Sequence, residues 1–268
     1  MVCLPTASRS LSLRRWAAKE SPRLSQPTLY FFCTTLFLIS VLYGCVGQGG
    51  GSGYIAAMAL FGFAPDSIKP TALVLNVLAS GVVSLRFYRA GHFSWRLLFP
   101  FAVSSVPTAL LGGYITLPPV AFSRLLGALL LVAAVPFIFP RDLPSHTLSP
   151  PRLLVALLAG ASMGLLSGLT GVGGGILIMP LFLYNRWATP KTAAALTGVF
   201  VLINSVAALL GHLAATHSVP PGLPLFGIAA VLGGMVGAQL GSVHLSASAI
   251  YRILGAVLLL SSAKLIFA

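Results

Sequence analysis

Long apolar runs separated by short polar loops dominate the chain from residue 28 onward. An apolar run of about 20 residues is long enough to cross a bilayer as a helix. Two shorter runs, at about 52–63 and 176–184, fall below that length, and we predict half-helices or re-entrant segments there. The pattern predicts eight spans, at roughly 28–46, 70–90, 97–116, 120–139, 152–170, 192–211, 223–240 and 249–267.

A run of glycines stands directly before each of the two short segments. The first is Gly47–Gly51, interrupted by Gln48, and the second is Gly171–Gly175, interrupted by Val172. Each glycine costs a helix about 1 kcal/mol against alanine, so we predict that the helix is broken at both places. Backbone groups freed inside a membrane must be satisfied by protein or by a water-filled cavity.

Other glycines recur every fourth residue. This spacing is typical of small-residue faces on which membrane helices pack. The positions are Gly160, Gly164 and Gly168, and likewise Gly233, Gly237 and Gly241.

The two halves of the chain repeat. The segment Ala121–Ala128 matches Ala249–Ala256 at an offset of 128, the glycine runs lie 124 positions apart, and Asn76 lies 128 positions before Asn204. Broken helices at matching places in two halves indicate the binding site of a transporter.

These patterns predict an all-α polytopic membrane protein. About eight transmembrane helices form two four-helix repeats, each with a glycine-broken helix and a short re-entrant segment. Four spans per half is an even number, so we predict that the repeats are parallel. The predicted domains are a basic cytoplasmic tail at 1–27, a first membrane repeat at 28–140, an inner linker at 141–151 and a second membrane repeat at 152–268.

The composition agrees with a membrane protein. Hydrophobic residues make up 57% of the chain and charged residues only 7%, whereas a soluble domain carries about 25% charged residues. The net charge of +13 does not indicate nucleic acid, because the Lys and Arg are scattered over the tail and short loops, where such residues contact lipid headgroups.

The basic residues also predict an orientation. With a cytoplasmic amino terminus and parallel repeats, eleven Lys and Arg lie inside and five outside, in agreement with the positive-inside rule. We therefore expect a multi-pass protein of the inner (plasma) membrane. An Arg- and Ser-rich start is also typical of transit peptides, so a targeting role of the tail stays open.

The two breaks are the candidate binding site. A half-helix that starts at residue 52 or 176 turns free N–H groups and a positive dipole end toward a cavity, which favours an anion. Neutral donors on the apolar helices suit an anion's oxygens, although interhelical hydrogen bonding is the alternative role. The substrate-binding candidates are Gly49, Gly50, Gly51, Ser52, Asn76, Gly173, Gly174, Gly175, Thr197 and Asn204.

Three further residues have two interpretations each. Lys69 and Lys191 either draw anions into an outer vestibule or anchor helices at the interface. His212 reads as part of an inner loop, where it is either a pH gate or a plain polar residue.

These residues resemble a known family. In the second half, Gly171–Pro180, Ala193–Thr197, Asn204-Ser205 and Gly211–Leu213 resemble the TauE/SafE sulfite exporter family. In the first half, Gly47–Gly51, Pro70–Ala72, Asn76 and Arg86–His92 are similar to its amino-terminal repeat. The resemblance covers nearly everything after residue 28. It implies a permease of sulfite, sulfonates or related small anions, built by duplication of a four-span unit. The first run departs from the second by lacking a proline like Pro180.

The resulting function hypothesis is an anion permease with its site between the two repeats, and export is the expected direction. No cofactor, metal or catalytic residue is expected, and a homodimer stays open. Proton-coupled carriers usually keep acids or histidines inside the membrane. The three acids here are Glu20, Asp66 and Asp142, and none reads as buried in a span. We therefore expect a uniporter.

Two alternative functions belong to other classes of membrane protein. Gly50–Gly53 matches the G-x-S-G of rhomboid-like intramembrane serine proteases, in which Ser52 would need a base such as His92 or His212 within hydrogen-bond reach. A cation or metal transporter would need acids, histidines or cysteines within its spans, and the three cysteines of this chain show no metal-ligand spacing.

Overall fold

The computed structural model describes residues 26–118, 120–131 except 123, 126 and 130, 148–216, 223–243 and Leu259. Within these residues all regular secondary structure is helical. Eight helices are α1 (Gln26–Cys45), α2 (Gly51–Leu60), α3 (Pro65–Arg89), α4 (Trp95–Tyr114), α5 (Leu153–Thr170), α6 (Gly175–Tyr184), α7 (Pro190–Thr216) and α8 (Leu223–Val243). A ninth, Val120–Leu129, lies between α4 and α5.

Six helices in the described part are long and apolar enough to cross a membrane, namely α1, α3, α4, α5, α7 and α8. Each coincides with a predicted span, and the two predicted short segments are the ten-residue helices α2 and α6. The predicted span at 120–139 begins with Val120–Leu129 and continues outside the described residues. The span at 249–267, apart from Leu259, and nearly all of the tail also lie outside them. For the described residues, the prediction of an all-helical, multi-pass membrane protein is confirmed.

The two central helices extend further than predicted. α3 begins at Pro65 rather than near residue 70, and α7 ends at Thr216 rather than near residue 211. Proline is favoured in the first turn of a helix, since its fixed φ suits the helix and its missing N–H is not needed there. As a consequence, Lys69 and His212 lie inside helices and not in loops.

The short helices α2 and α6 run back toward the end at which the preceding long helix began. Just after α2, the ring of Phe61 lies 5.0 Å from the ring of Phe32, which is near the start of α1. Just after α6, the carbonyl of Arg186 accepts a hydrogen bond from the N–H of Ser149, which precedes α5. Each long helix and the short helix after it therefore form a hairpin with a glycine run at its tip.

The evenly spaced glycines are packing faces, as predicted. A Cβ on any of them would collide with the neighbouring helix. On α5, Gly160, Gly164 and Gly168 lie against Phe101, Ser105 and Ala109 of α4. On α8, Gly233, Gly237 and Gly241 lie against Phe37, Val41 and Cys45 of α1. Residue numbers rise together along both pairs, so α5 runs parallel to α4 and α8 runs parallel to α1.

The central helices α3 and α7 run antiparallel. A Cβ on Gly198, near the start of α7, would lie 3.0 Å from Oγ of Ser84, near the end of α3. Earlier in α3, Asn76 lies beside the same glycine, Gly173, as Ser205 of α7. The prediction of parallel repeats is therefore wrong. The halves are inverted, which places the axis between them in the membrane plane.

The return of the short helices explains the error. The prediction of four crossings per half counted α1 and α5 as complete crossings. Because α2 and α6 bring the chain back to the side from which α1 and α5 started, each hairpin makes no net crossing. The two halves also interlock, because α4 packs on α5 and α7 while α8 packs on α1 and α3.

The inversion regroups the basic residues. Trp187, which follows α6, lies with its ring 5.9 Å from that of Phe101 near the start of α4. Arg186 and Lys191 therefore lie at the same end of the bundle as Arg96, whereas parallel repeats placed them on opposite sides. α1 begins at the other end, so the eleven-to-five count no longer holds. The cytoplasmic amino terminus stays a prediction without support from that count.

Candidate functional site

Both glycine runs are breaks between helices. The first separates α1 from α2 and the second separates α5 from α6. Five of their glycines have positive φ, a conformation that side chains rarely adopt. They are Gly47 (78°), Gly50 (103°), Gly171 (79°), Gly173 (85°) and Gly174 (75°). The glycines are therefore required by the backbone at the tips of the two hairpins.

The two breaks meet in the buried interior beside α3 and α7. A Cβ on Gly51 would lie only 2.6 Å from the carbonyl oxygen of Val172 in the other break. Gln48 of the first break reaches α6, where its Nε2 lies 3.6 Å from Sδ of Met179. Each break is thus lined partly by the opposite half of the chain.

Asn76 of α3 contacts both breaks. Its side chain is fully buried. Nδ2 donates to the carbonyl of Val172 at 3.2 Å and, more weakly, to that of Gly171 at 3.4 Å. On the other side of the amide, Oδ1 would lie 2.7 Å from a Cβ on Gly49. Of the predicted site residues outside the glycine runs, Asn76 lies most directly between the two breaks.

Thr197 of α7 lies at the second break, where a Cβ on Gly175 would be 3.1 Å from its Cγ2. Ser205 lies nearby, with Oγ 3.2 Å from a Cβ on Gly173. Both side chains are buried, and neither hydroxyl oxygen has a hydrogen-bond partner among the described residues. Two polar groups in the second break are thus free to bind a ligand.

Ser205 is not among the site residues predicted from the sequence. Its structural equivalent in the first half is Ser80, which would lie 3.2 Å from a Cβ on Gly49. Aligning Pro65 with Pro190, the first residues of α3 and α7, gives an offset of 125 that pairs the two serines. The shared prolines were therefore the signal that could have found it.

The backbone supplies further donors at the breaks. Among the described residues, no protein hydrogen bond has the N–H of Gly173, Gly174, Gly175 or Ile176 as its donor, and the same holds for 49–53. The first N–H groups of a helix have no partner within it, and they carry the positive end of its dipole. Both short helices therefore begin with free donors where the breaks meet.

Asn204, a predicted site residue, binds within its own helix. Its Nδ2 donates to the carbonyl of Phe200 at 2.8 Å, and it is not among the nearest neighbours of any glycine in either run. The pairing of Asn76 with Asn204 is also wrong. The residue of α7 that is equivalent to Asn76 is Val201. Asn76 would meet a Cβ on Gly51, and Val201 would meet a Cβ on Gly175, the matching glycine of the second run.

Ser52 also has a local partner. Its Oγ lies 2.7 Å from the phenolic oxygen of Tyr43 in α1. A serine nucleophile needs a base such as histidine within hydrogen-bond reach, and the group at this position is a phenol. The geometry gives the protease alternative no support.

Lys69 is buried in α3 and lies in no outer vestibule. Its ammonium group donates to the carbonyls of Gly112, Gly113 and Ile115 at 3.1, 3.2 and 3.0 Å. These carbonyls close the carboxyl end of α4, where helix carbonyls lack partners within the helix. The three donors of Lys69 are therefore used in capping α4.

His212 is likewise not in a loop. It lies in α7 with 6% of its surface exposed, and its Nδ1 has no hydrogen-bond partner in the described part of the chain. Within the same residues no group of three His, Cys, Asp or Glu side chains could hold a metal ion.

Broken helices at matching places in two inverted halves, buried in a bundle of membrane-spanning helices, define the architecture of a membrane transporter. The sulfite exporter TauE/SafE family matches residues 32–265 of the sequence. The chain belongs to this family.

Two relatives are named as transporters. The probable membrane transporter protein y4hK of Sinorhizobium fredii is 42% identical over 235 residues, which cover 86% of this chain and 95% of the relative. The probable membrane transporter protein MJ0441 of Methanocaldococcus jannaschii is 24% identical over 189 residues, covering 67% and 70%. No solved structure matches the chain.

Proposed function

We propose that this transporter is a permease for a small anion of the sulfite and organosulfur class and that it exports its substrate. The observation that carries the proposal is the meeting of the two breaks, where α2 and α6 both begin with unpaired N–H groups. Two positive dipole ends at one place favour a negative ligand. The described part of the chain contains one acid, Asp66, and it is exposed in the first turn of α3.

The ligand groups at the junction are neutral. Backbone N–H groups and the hydroxyls of Thr197 and Ser205 donate hydrogen bonds to an anion without a full positive charge. Hydrogen bonds to a charged group contribute about 1.5–3 kcal/mol each, so a few of them bind an anion and still allow its release. Lys69, a buried cation whose side chain lies beside Gly171 of the second break, already donates to three carbonyls.

Inverted halves support alternating access. Two halves related by an axis in the membrane plane adopt two equivalent arrangements, and exchanging them opens the same site to opposite sides. The substrate stays between the breaks while one half moves against the other. We place the protein in the inner (plasma) membrane, surrounded by lipid.

The membrane potential alone supports export. Moving a monoanion out of a negative-inside cell gains about 2.3 kcal/mol per 100 mV, so uniport needs no coupled ion. Sulfite flux from proteoliposomes is expected to follow an imposed potassium diffusion potential. Flux that ignores voltage and requires a proton or sodium gradient contradicts the uniport mechanism.

Two glycine variants test the site. Gly173→Ala places a Cβ 2.8 Å from Nδ2 of Asn76, at the junction. Gly62→Ala is the matched control, because Gly62 has a similar positive φ of 77° but nothing lies within 4 Å of its Cβ position. Both variants strain the backbone, and only the first fills the junction.

Sulfite binding by purified protein is measured by calorimetry. We expect Gly173→Ala to weaken binding at least tenfold, since a hydrogen bond to a charged ligand contributes about 1.5–3 kcal/mol to the binding free energy and the variant loses or displaces at least one. Gly62→Ala is expected to bind like the wild type. Absence of binding by the wild type to sulfite and sulfonates, or equal weakening by both variants, contradicts the proposed site.

A further inference from the structure

The orientation of the Asn76 amide is fixed by the second break. Its Nδ2 lies against the carbonyl oxygens of Gly171 and Val172 at 3.4 and 3.2 Å. If the amide were rotated by 180°, Oδ1 would lie beside two carbonyl oxygens, neither of which can donate a hydrogen bond. Oδ1 therefore points the other way, toward the first break.

At the first break, Oδ1 lies beside Gly49 and has no hydrogen-bond partner among the described residues. The side chain has no exposed surface. A buried acceptor that stays unpaired costs free energy, and the neighbouring N–H groups of 49–53 donate to no protein atom. Asn76 therefore places an unpaired acceptor among several donors at the junction.

An acceptor among donors selects the protonation state of an anion. The N–H groups and hydroxyls suit the bare oxygens of any oxyanion, but Oδ1 repels a bare oxygen and attracts an O–H or N–H. The second half offers no such acceptor at the equivalent position, since Val201 stands there. The discrimination thus depends on one side chain.

Resting on the proposed function, we propose that the site selects monoanions that carry a hydrogen-bond donor. Hydrogensulfite fits this description, as does a sulfonate with a hydroxyl or amino group. Fully deprotonated sulfite, sulfate and plain alkyl sulfonates do not, because they present only acceptors to Oδ1.

Two sulfonates of the same heavy-atom count test the proposal on the full-length wild-type protein. In 2-hydroxyethanesulfonate a hydroxyl stands where propane-1-sulfonate has a methyl group. Calorimetry is expected to show that the hydroxylated ligand binds about tenfold more tightly, as one hydrogen bond to a buried acceptor provides. In addition, the affinity for sulfite is expected to fall as the pH rises and hydrogensulfite loses its proton.

The variant Asn76→Leu removes the acceptor. It is expected to reduce the affinity ratio of the two sulfonates from about ten to about one. The control Ser205→Ala lies in the other half and is expected to weaken both ligands while keeping their ratio. If Asn76→Leu does not fold, the affinity ratio of the two sulfonates and the pH dependence of sulfite binding, both measured on the wild type, still decide the question.

The outcomes separate this proposal from the one on which it rests. Equal binding of the two sulfonates by the wild type overturns the donor requirement, leaves the anion site standing and implies that a buried water satisfies Oδ1. Binding of neither sulfonate nor sulfite overturns the proposed function itself.

Discussion

At the scale of single residues, Lys69 connects α3 to the carboxyl end of α4. It projects from α3 and donates to three carbonyls at the carboxyl end of α4. Lys69→Met keeps the length of the side chain and removes all three donors. Since hydrogen bonds to charged groups contribute about 1.5–3 kcal/mol, we expect the free energy of unfolding to fall by roughly 2 kcal/mol or more. Thermal unfolding in detergent, followed by tryptophan fluorescence, measures it.

The control for this variant is Lys191→Met. Lys191 lies exposed near the start of α7, and exposed substitutions usually change stability by no more than about 0.5 kcal/mol. A melting temperature that falls equally in both variants would show that Lys69 does not act as a cap.

The candidate site could be predicted from the sequence where glycine runs mark the backbone breaks and where a polar residue stands on an apolar helix. The glycine runs indicated the breaks, because glycine adopts positive φ far more readily than other residues do. Asn76 could be found as a polar residue on an apolar helix. Asn204 has the same signal, but it binds its own helix and is one turn away from the equivalent position, Val201. The burial of Lys69 depends on a helix start that the apolar pattern placed five residues too late.

At the scale of helices, α4 and α5 approach closely because glycine leaves room. A Cβ on Gly164 would collide with Ser105 and Thr108 of α4. Gly164→Leu is therefore expected to separate the two helices and to destabilise the protein by at least about 1–3 kcal/mol, the usual cost of overpacking. Detergent-solubilised protein is expected to melt earlier and to elute partly as aggregate in size-exclusion chromatography.

Ser162→Leu provides the comparison on the same helix. Ser162 is exposed and donates only to carbonyls of its own helix, so a leucine there faces outward. Its stability is expected to match that of the wild type within about 0.5 kcal/mol. A loss comparable to that of Gly164→Leu would indicate that leucine on α5 is harmful by itself, independently of packing on α4.

Helix positions could be predicted because length and apolarity decide them locally, but the direction of α2 and α6 could not. A ten-residue apolar helix fits a re-entrant segment on either side of the membrane. Its direction is decided by contacts distant in sequence, such as Phe32 with Phe63, whose rings lie 4.9 Å apart, and with Phe226, at 5.0 Å. Those contacts are invisible in the hydropathy pattern.

At the scale of the whole molecule, one wrong direction in each half changes the symmetry. With α2 returning, the first half makes an odd number of net crossings, so the second half enters the membrane from the opposite side. The basic residues after α3 and after α6 then share one end, although a parallel duplication separates them. This difference is open to direct measurement.

Accessibility of single cysteines distinguishes the two arrangements. In a background with Cys3, Cys33 and Cys45 replaced by alanine, one cysteine is introduced at a time at Ala64, Ala90 or Asn185, all exposed in loops or at helix ends. An impermeant maleimide is applied to right-side-out and inside-out vesicles. We expect the cysteines at 90 and 185 to react from the same side and that at 64 from the other, because inverted halves place the ends of α3 and α6 together. Parallel halves pair 64 with 185 instead, so that result contradicts the inversion whichever way the protein faces.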